Sequence, residues 1–377
     1  MSDRLTEIRR ILAGAPADLL VERLAEAVAK AYELTTTELL LVDYRLTSLL
    51  PLGGGRERVG AGDPAWRCFD HQEALVRDGM LYLPVTMRGE RTGVLALAAA
   101  PADPADLDEL AEIATLLAHE LAAVRAGTDL YALAARSRRL TLAAEMQWEL
   151  LPGRSRERSS FTLAGQLEPA YAVRGDTFDW SDDGHRVWLS VVNGMGEGVV
   201  AASLTDLATK ALRNARRGGL ELADQATLAD QAIYSYHRGA QHLSALLLEL
   251  DLAGGQVTAI DAGSPRLLVL RGDAVLEQPL EAQFPLGMFE DTVYRPQRFQ
   301  LSVGDRLFVV SDGIFEATSD TGRRYGDTAL ERFVRRSGTM APLEAVRSLL
   351  GDLRAYVGSD LVDDAVAVCL DWRGPQP

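Results

Sequence analysis

Val309-Val310-Ser311-Asp312-Gly313-Ile314-Phe315-Glu316-Ala317 is a short apolar run that ends in an acid beside a glycine. The two valines have the β-branched character of a buried strand, and Asp-Gly ends strands. A carboxylate placed where a strand gives way to a loop is held by a rigid sheet. Three other stretches repeat the arrangement. Val191-Val192-Asn193-Gly194-Met195-Gly196-Glu197-Gly198 ends one apolar run and opens a helix, Arg174-Gly175-Asp176-Thr177-Phe178-Asp179 follows another, and Asp363-Asp364 directly precedes a third. A lone Asp-Gly is ordinarily a turn. Several carboxylates converging at strand ends repel one another strongly unless a cation is bound between them. Oxygen donors next to glycine, where a backbone carbonyl can approach an ion, suit Mg²⁺ or Mn²⁺.

Around these stretches, residues 161–167, 187–192, 245–252, 256–261, 266–270, 306–310 and 365–370 are short, apolar and rich in β-formers. Helical patterns lie between them at 199–217 and 222–237, and again after Asp327 and Pro342. Strands joined by hairpins with helices inserted in pairs predict an α+β domain over residues 154–373, its sheets carrying helices on the outside.

Upstream, residues 1–126 run through helix, strand, glycine-rich loop, hairpin around Arg88-Gly89-Glu90-Arg91 and a long amphipathic helix after Pro104. That order resembles a GAF-type α/β sensor domain. Residues 127–153 predict a linker helix from Thr128 to Leu151, stopped by Pro152-Gly153. Leu133, Ser137, Leu140, Ala144, Gln147 and Leu151 alternate at spacings of three and four, a coiled-coil seam poor in apolar area. Such a helix either pairs and responds to the first domain or is an inert spacer.

The chain has 377 residues, enough for two domains, with 47% apolar and 25% charged residues, the balance of a soluble globular protein. A net charge of -15 argues against nucleic acid and anionic membrane as partners. Cys68 and Cys369 lie far apart and outside any Cys/His cluster, which argues against a zinc site or a disulfide framework and fits a reducing cytoplasm. The five histidines show no HExxH spacing, and the glycines at 194, 196 and 198 do not form a nucleotide-binding GxGxxG.

Residues 140–372 resemble PPM-type protein phosphatases of the sporulation and stress-response regulator branch. Glu145-Met146-Gln147-Trp148-Glu149-Leu150-Leu151-Pro152 is similar to the family's switch-helix signature, with Glu145 and Gln147 as the regulatory pair. Gly175 to Asp179 resembles its Gly-Asp-aromatic-aromatic-Asp motif, and Asp312-Gly313 with Glu316-Ala317 its Asp-Gly-x-x-Glu-Ala motif. Ala262-Gly263, Pro285-Leu286-Gly287, Gly304-Asp305 and Asp363-Asp364 follow in the family's order. The resemblance implies a β-sandwich flanked by helices and a two-metal site of Mn²⁺ or Mg²⁺. Asp176, Asp312 and Asp363, the residue at position 193 and the Gly194 carbonyl would hold the ions. It also implies a metal-activated water in place of a side-chain nucleophile. The implied substrate is a phosphoserine or phosphothreonine protein such as an anti-sigma-factor antagonist, and the implied assembly a cytoplasmic homodimer.

Two positions depart from that pattern. Asn193 stands where the family has a bridging aspartate, and Ser264 where it commonly has histidine after Ala-Gly. An amide offers one neutral carbonyl oxygen and cannot bridge two dications equally. The chain is then a phosphatase with a weakened or single-metal site, a pseudophosphatase that binds a phosphoprotein without cleaving it, or a protein in which Asn193 deamidates before Gly194. A purely structural dimeric adaptor, with neither metal nor phosphoprotein affinity, is the remaining reading.

Overall fold

A computed structural model describes residues 2–60, 62–98, 103–170, 173–358 and 361–375, which form two compact units, Met1–Arg139 and Leu140–Pro377. The first begins with helices α1 (Asp3–Gly14) and α2 (Leu20–Tyr32), followed by β1 (Thr36–Val42), β2 (Leu49–Pro51), α3 (Pro64–His71), β3 (Leu75–Arg77), β4 (Met80–Met87), β5 (Glu90–Ala98), α4 (Pro104–Val124) and α5 (Leu130–Ala134). The strands form one antiparallel sheet in the order β2-β1-β5-β4-β3. The expected hairpin is β4–β5, turned by Arg88 and Gly89, both at positive φ. Leu5, Ile8, Leu12, Leu24 and Val28 join Leu110, Ile113 and Leu117 over one sheet face to build the core.

The second unit runs α6 (Leu142–Leu150), β6 (Ser155–Glu157), β7 (Phe161–Glu168), β8 (Thr177–Asp182), β9 (Arg186–Asn193), α7 (Gly198–Arg217), α8 (Leu222–His237), β10 (Ser244–Asp251), β11 (Gln256–Ala262), β12 (Arg266–Arg271), β13 (Ala274–Glu277), β14 (Gln297–Gln300), β15 (Arg306–Val310), α9 (Asp312–Phe315), α10 (Tyr325–Arg336), α11 (Pro342–Val357) and β16 (Ala365–Trp372). Two antiparallel sheets, β14-β11-β10-β9-β8 and β13-β12-β15-β16-β7-β6, face each other as a sandwich. Val187, Leu189 and Val191 of β9 and Leu246, Leu248 and Leu250 of β10 point inward, against Leu307 and Val309 of β15 and Val366 and Val368 of β16. The alternate residues Val192, Ala245 and Leu247 face the other way and are covered by Leu204, Ala208 and Leu212 of α7 and Ala226 and Ile233 of α8. Burial on both faces explains why β10 reads as an almost unbroken leucine run. Helix α11 packs on β7 and β16 on the opposite side.

The single linker helix expected over residues 128–151 is instead two short helices, α5 and α6, separated by residues 135–141. The proposed seam lacks a common face. Leu133 is 59% exposed while Gln147 is buried, and Ser137 donates to Asp43 Oδ2 at 2.9 Å. Tyr131 is buried with its hydroxyl on the Ala17 carbonyl, 2.6 Å away, so the first unit continues past residue 126. A fresh cap, Thr141 accepting from Ala144 N at 3.2 Å, starts α6 in the second unit.

Cys68 and Cys369 are buried free thiols, and burial pushes Cys68 up to about 12. Among the described residues no helix is long and apolar enough to cross a membrane. Between the sheets, Phe178 stacks on Trp180 with ring centroids 5.0 Å apart. Replacing fully buried Phe178 by alanine should cost about 3–5 kcal/mol in urea denaturation; a loss below about 1 kcal/mol would show that this layer is not close-packed.

Candidate metal centre

The acidic stretches meet at one rim of the sandwich. Asn193 is the last residue of β9, and Asp176 directly precedes β8, whose Thr177 pairs with Val192. In the other sheet Asp312 opens α9 just beyond β15, and Asp363-Asp364 lead into β16. Those two ends are tied together, Ser311 N donating to the Val366 carbonyl and Val366 N to Ser311 Oγ, both at 3.0 Å. Glycine permits the approach. A Cβ on Gly313 would lie 1.9 Å from the Asp364 carbonyl oxygen, and one on Gly194 2.4 Å from that of Arg174. Gly194 N then donates to Asp176 Oδ1 at 3.1 Å.

Electrostatics reports the same gathering. Burial holds the Asp176 carboxyl well above the usual range, and the charges of Asp364, Asp312 and Asp363 push it further. Asp363 is raised to about 6, first by burial and then by Asp312. All three acids expected at the site therefore lie within electrostatic reach of one another.

Asp364, which sequence reasoning did not separate from its neighbour, has a different task. It is completely buried. Its Oδ1 accepts from Ala170 N at 2.8 Å, and its Oδ2 from Arg174 N and Gly175 N, both at 2.9 Å, from Asp176 N at 3.3 Å and from Gln147 Nε2 at 2.8 Å. A carboxylate with this many N–H donors fixes a loop. Here that loop delivers Asp176.

Gln147 of α6 also donates to the Asp176 carbonyl at 3.0 Å, so the helix touches the site through two bonds from one amide. Glu145 lies about 200° away round the same helix and is half-buried. Asp179, the last acid of its motif, is drawn elsewhere, buried between Arg213 at 2.9 Å and Arg216 at 3.2 Å. Arg213 also donates to the Leu150 carbonyl, which fastens the end of α6 to α7.

Both departures from the expected pattern touch each other. Asn193 Nδ2 donates to Ser264 Oγ at 2.7 Å, and Ser264 Oγ donates to Asp312 Oδ2 at 3.1 Å. Neither the bond nor its direction could be read from residues so far apart in the chain.

The donors are oxygens throughout, and two of them, Asp176 Oδ2 and Asn193 Oδ1, are buried without a hydrogen-bond partner. Uncompensated acids with orphaned oxygens fit a hard divalent cation. Among the described residues, no three Asp, Glu, His or Cys side chains are drawn together as a finished cage.

Comparison with known proteins supplies the family context. The family model described as Stage II sporulation protein E (SpoIIE) matches residues 183–373. Two proteins of Bacillus subtilis (strain 168) are each 25% identical to the chain. They are Phosphoserine phosphatase RsbP, over 43% of this chain and 39% of its own length, and Stage II sporulation protein E, over 54% and 25%. The chain thus spans well under half of either relative. Among solved structures, the PP2C phosphatase domain with a regulatory-domain fragment of SpoIIE from Bacillus subtilis superposes with a TM-score of 0.51 at 20% identity, covering 59% of this chain and 66% of that one. It shares the fold of the second unit.

Removing the loop anchor and removing a candidate ligand should separate cleanly. Asp364→Ala should lose about 3–5 kcal/mol of stability, because it strands several buried donors. Asp363→Asn should leave metal-free stability unchanged or higher while abolishing the rise in Tm on adding Mn²⁺; the reverse pattern would exchange the two roles.

A pH dependence follows from Asp363. Its folded pKa of about 6 exceeds the ordinary 3.8, so the metal-free folded state holds a proton that the unfolded chain has released. The associated stability is full below the ordinary value and is lost as pH rises through about 6. Metal-free Tm should fall between about pH 5 and about pH 7.5, and Asp363→Asn should flatten that fall. A Tm that rises equally in both proteins across the interval contradicts this.

Proposed function

This chain belongs to the stage II sporulation protein E family, and from that premise we propose that its second unit is a metal-dependent phosphatase acting on phosphoserine or phosphothreonine in a protein. One observation carries the reading. Asp176, Asp312 and Asp363 come to the same rim of the sandwich, where burial and the neighbouring acids raise Asp176 and Asp363, beside oxygens that lack partners. Divalent Mn²⁺ or Mg²⁺ bound there supplies Lewis-acid activation of water and neutralises charge on the phosphoryl oxygens.

The remaining tasks fall to the chain. Asp176, Asp312, Asp363 and the Gly194 carbonyl hold the cation, and Asn193 adds a neutral carbonyl. Asp364 keeps the Asp176 loop in place from behind. Gln147, with Glu145 on the same helix, forms the regulatory element, because displacing α6 withdraws a donor from Asp364 and from the Asp176 carbonyl. The first unit is a GAF-like sensor that acts on this helix within a homodimer. A phosphorylated antagonist of an anti-sigma factor is the substrate class in this reading, and the relative named a phosphoserine phosphatase supports phosphoserine as the target group.

Full-length protein assayed with Mn²⁺ against a phosphoserine peptide should show turnover that Asp312→Ala lowers by about 100-fold or more, with Asn193→Asp raising it about tenfold. Turnover absent in the wild type but gained in Asn193→Asp would identify a phosphoprotein-binding pseudophosphatase. No turnover in either protein would overturn the proposal.

A further inference from the structure

A hydroxyl carries one proton. Ser264 gives it to Asp312, a carboxylate that can only accept, and therefore meets residue 193 as an acceptor. An amide supplies the donor this requires; an ionised carboxylate would not. The contact also fixes which way the amide lies. With Nδ2 turned to Ser264, Asn193 Oδ1 faces away from it and is buried without a partner. A buried carbonyl oxygen left bare is costly, and a cation removes that cost.

The ligand set bears on how many cations the pocket holds. Asp176, Asp312 and Asp363 supply three anionic ligands, while Asp364 behind them adds its charge but no free oxygen, its carboxylate being taken up by N–H donors. A first dication can draw on all three of these carboxylates, and a second would have to share them with no anionic ligand at position 193. An aspartate at 193 would supply a fourth anionic ligand, able to contact two dications as the neutral amide cannot. It would also leave two carboxylates competing for the one proton of Ser264.

We propose that Ser264 is a positioning residue that aims the Asn193 carbonyl oxygen at a single divalent cation, so that the pocket binds one ion tightly and a second only weakly. The inference rests on the reading of this pocket as a divalent-cation site. It makes the two departures from the family pattern one coupled substitution, because changing either residue alone breaks the donor–acceptor match.

The experiment is titration of the metal-free full chain with Mn²⁺, followed by calorimetry and by the electron paramagnetic resonance of bound Mn²⁺. The variants are Ser264→Ala, Ser264→Thr, Asn193→Asp and the double variant Asn193→Asp/Ser264→Ala. In the wild type the first ion should bind at least about tenfold more tightly than the second; Ser264→Ala should weaken the first about tenfold, and Ser264→Thr should restore it to within about threefold. Asn193→Asp should gain the second ion, and there Ser264→Ala should change the first ion's affinity by less than about threefold. Thermal melts of the metal-free variants separate this from misfolding, since a positioning role leaves them close to the wild type. If Ser264→Ala binds Mn²⁺ as tightly as the wild type, or the wild type takes two ions of equal affinity, the inference is wrong while the metal centre stands. If neither the wild type nor Asn193→Asp binds Mn²⁺, both fall together.

Discussion

Like charges fixed at the ends of rigid strands are the constraint on which the second unit turns. Asp176, Asp312 and Asp363 occupy ends of two facing sheets, and nothing in the sandwich core can relax to separate them. The fold meets this by placing a further acid behind them. Asp364 gathers the backbone N–H groups of residues 170, 174, 175 and 176 and the Gln147 amide, so its oxygens are occupied while it holds the loop. Gly194 and Gly313 bring the backbones closer than any side chain would allow. The double layer of burial around β9, β10, β15 and β16 makes the strand ends stiff enough for such a site.

The motifs that mark the family divide between chemistry and scaffold. Asp176, Gly194, Asp312 and Asp363 reach the rim. Asp179 ties β8 to α7 through Arg213 and Arg216. Gly287 N donates to buried Asp230 Oδ1 at 2.8 Å, and Asp305 accepts from Arg271 at 2.9 and 2.6 Å and from Ser302 N at 2.7 Å. These contacts set turns. A shared motif order therefore reports the fold as much as the reaction, and the identity of residue 193 bears on chemistry far more than the scaffold positions do.

The interior strands were legible in the sequence because burial on both faces leaves an apolar run bounded by turn residues. The strands passed over in the second unit, β6, β8, β13 and β14, are all sheet edges. Edge strands are short or half-exposed and carry polar residues, so Gln297–Gln300 and Ala274–Glu277 lack an apolar run to find. The linker helix failed for a related reason. Spacing at three and four does not say which face is covered, and the side chains of Ser137 and Gln147 are claimed by different partners. Nor does Asp363-Asp364 reveal which carboxylate faces the rim and which is buried behind it; only the partners of each oxygen do. Ser264, a single odd residue in the sequence, gains meaning from Asn193 through a bond spanning 71 positions of chain.

Crystals of the protein soaked in Mn²⁺ and measured at the manganese absorption edge give the most direct test of the central claim. The account predicts an anomalous peak at the rim of the second unit, within about 2.0–2.6 Å of carboxylate oxygens of Asp176 and Asp312. Manganese bound elsewhere, with that rim empty and its carboxylates turned to solvent, would contradict it.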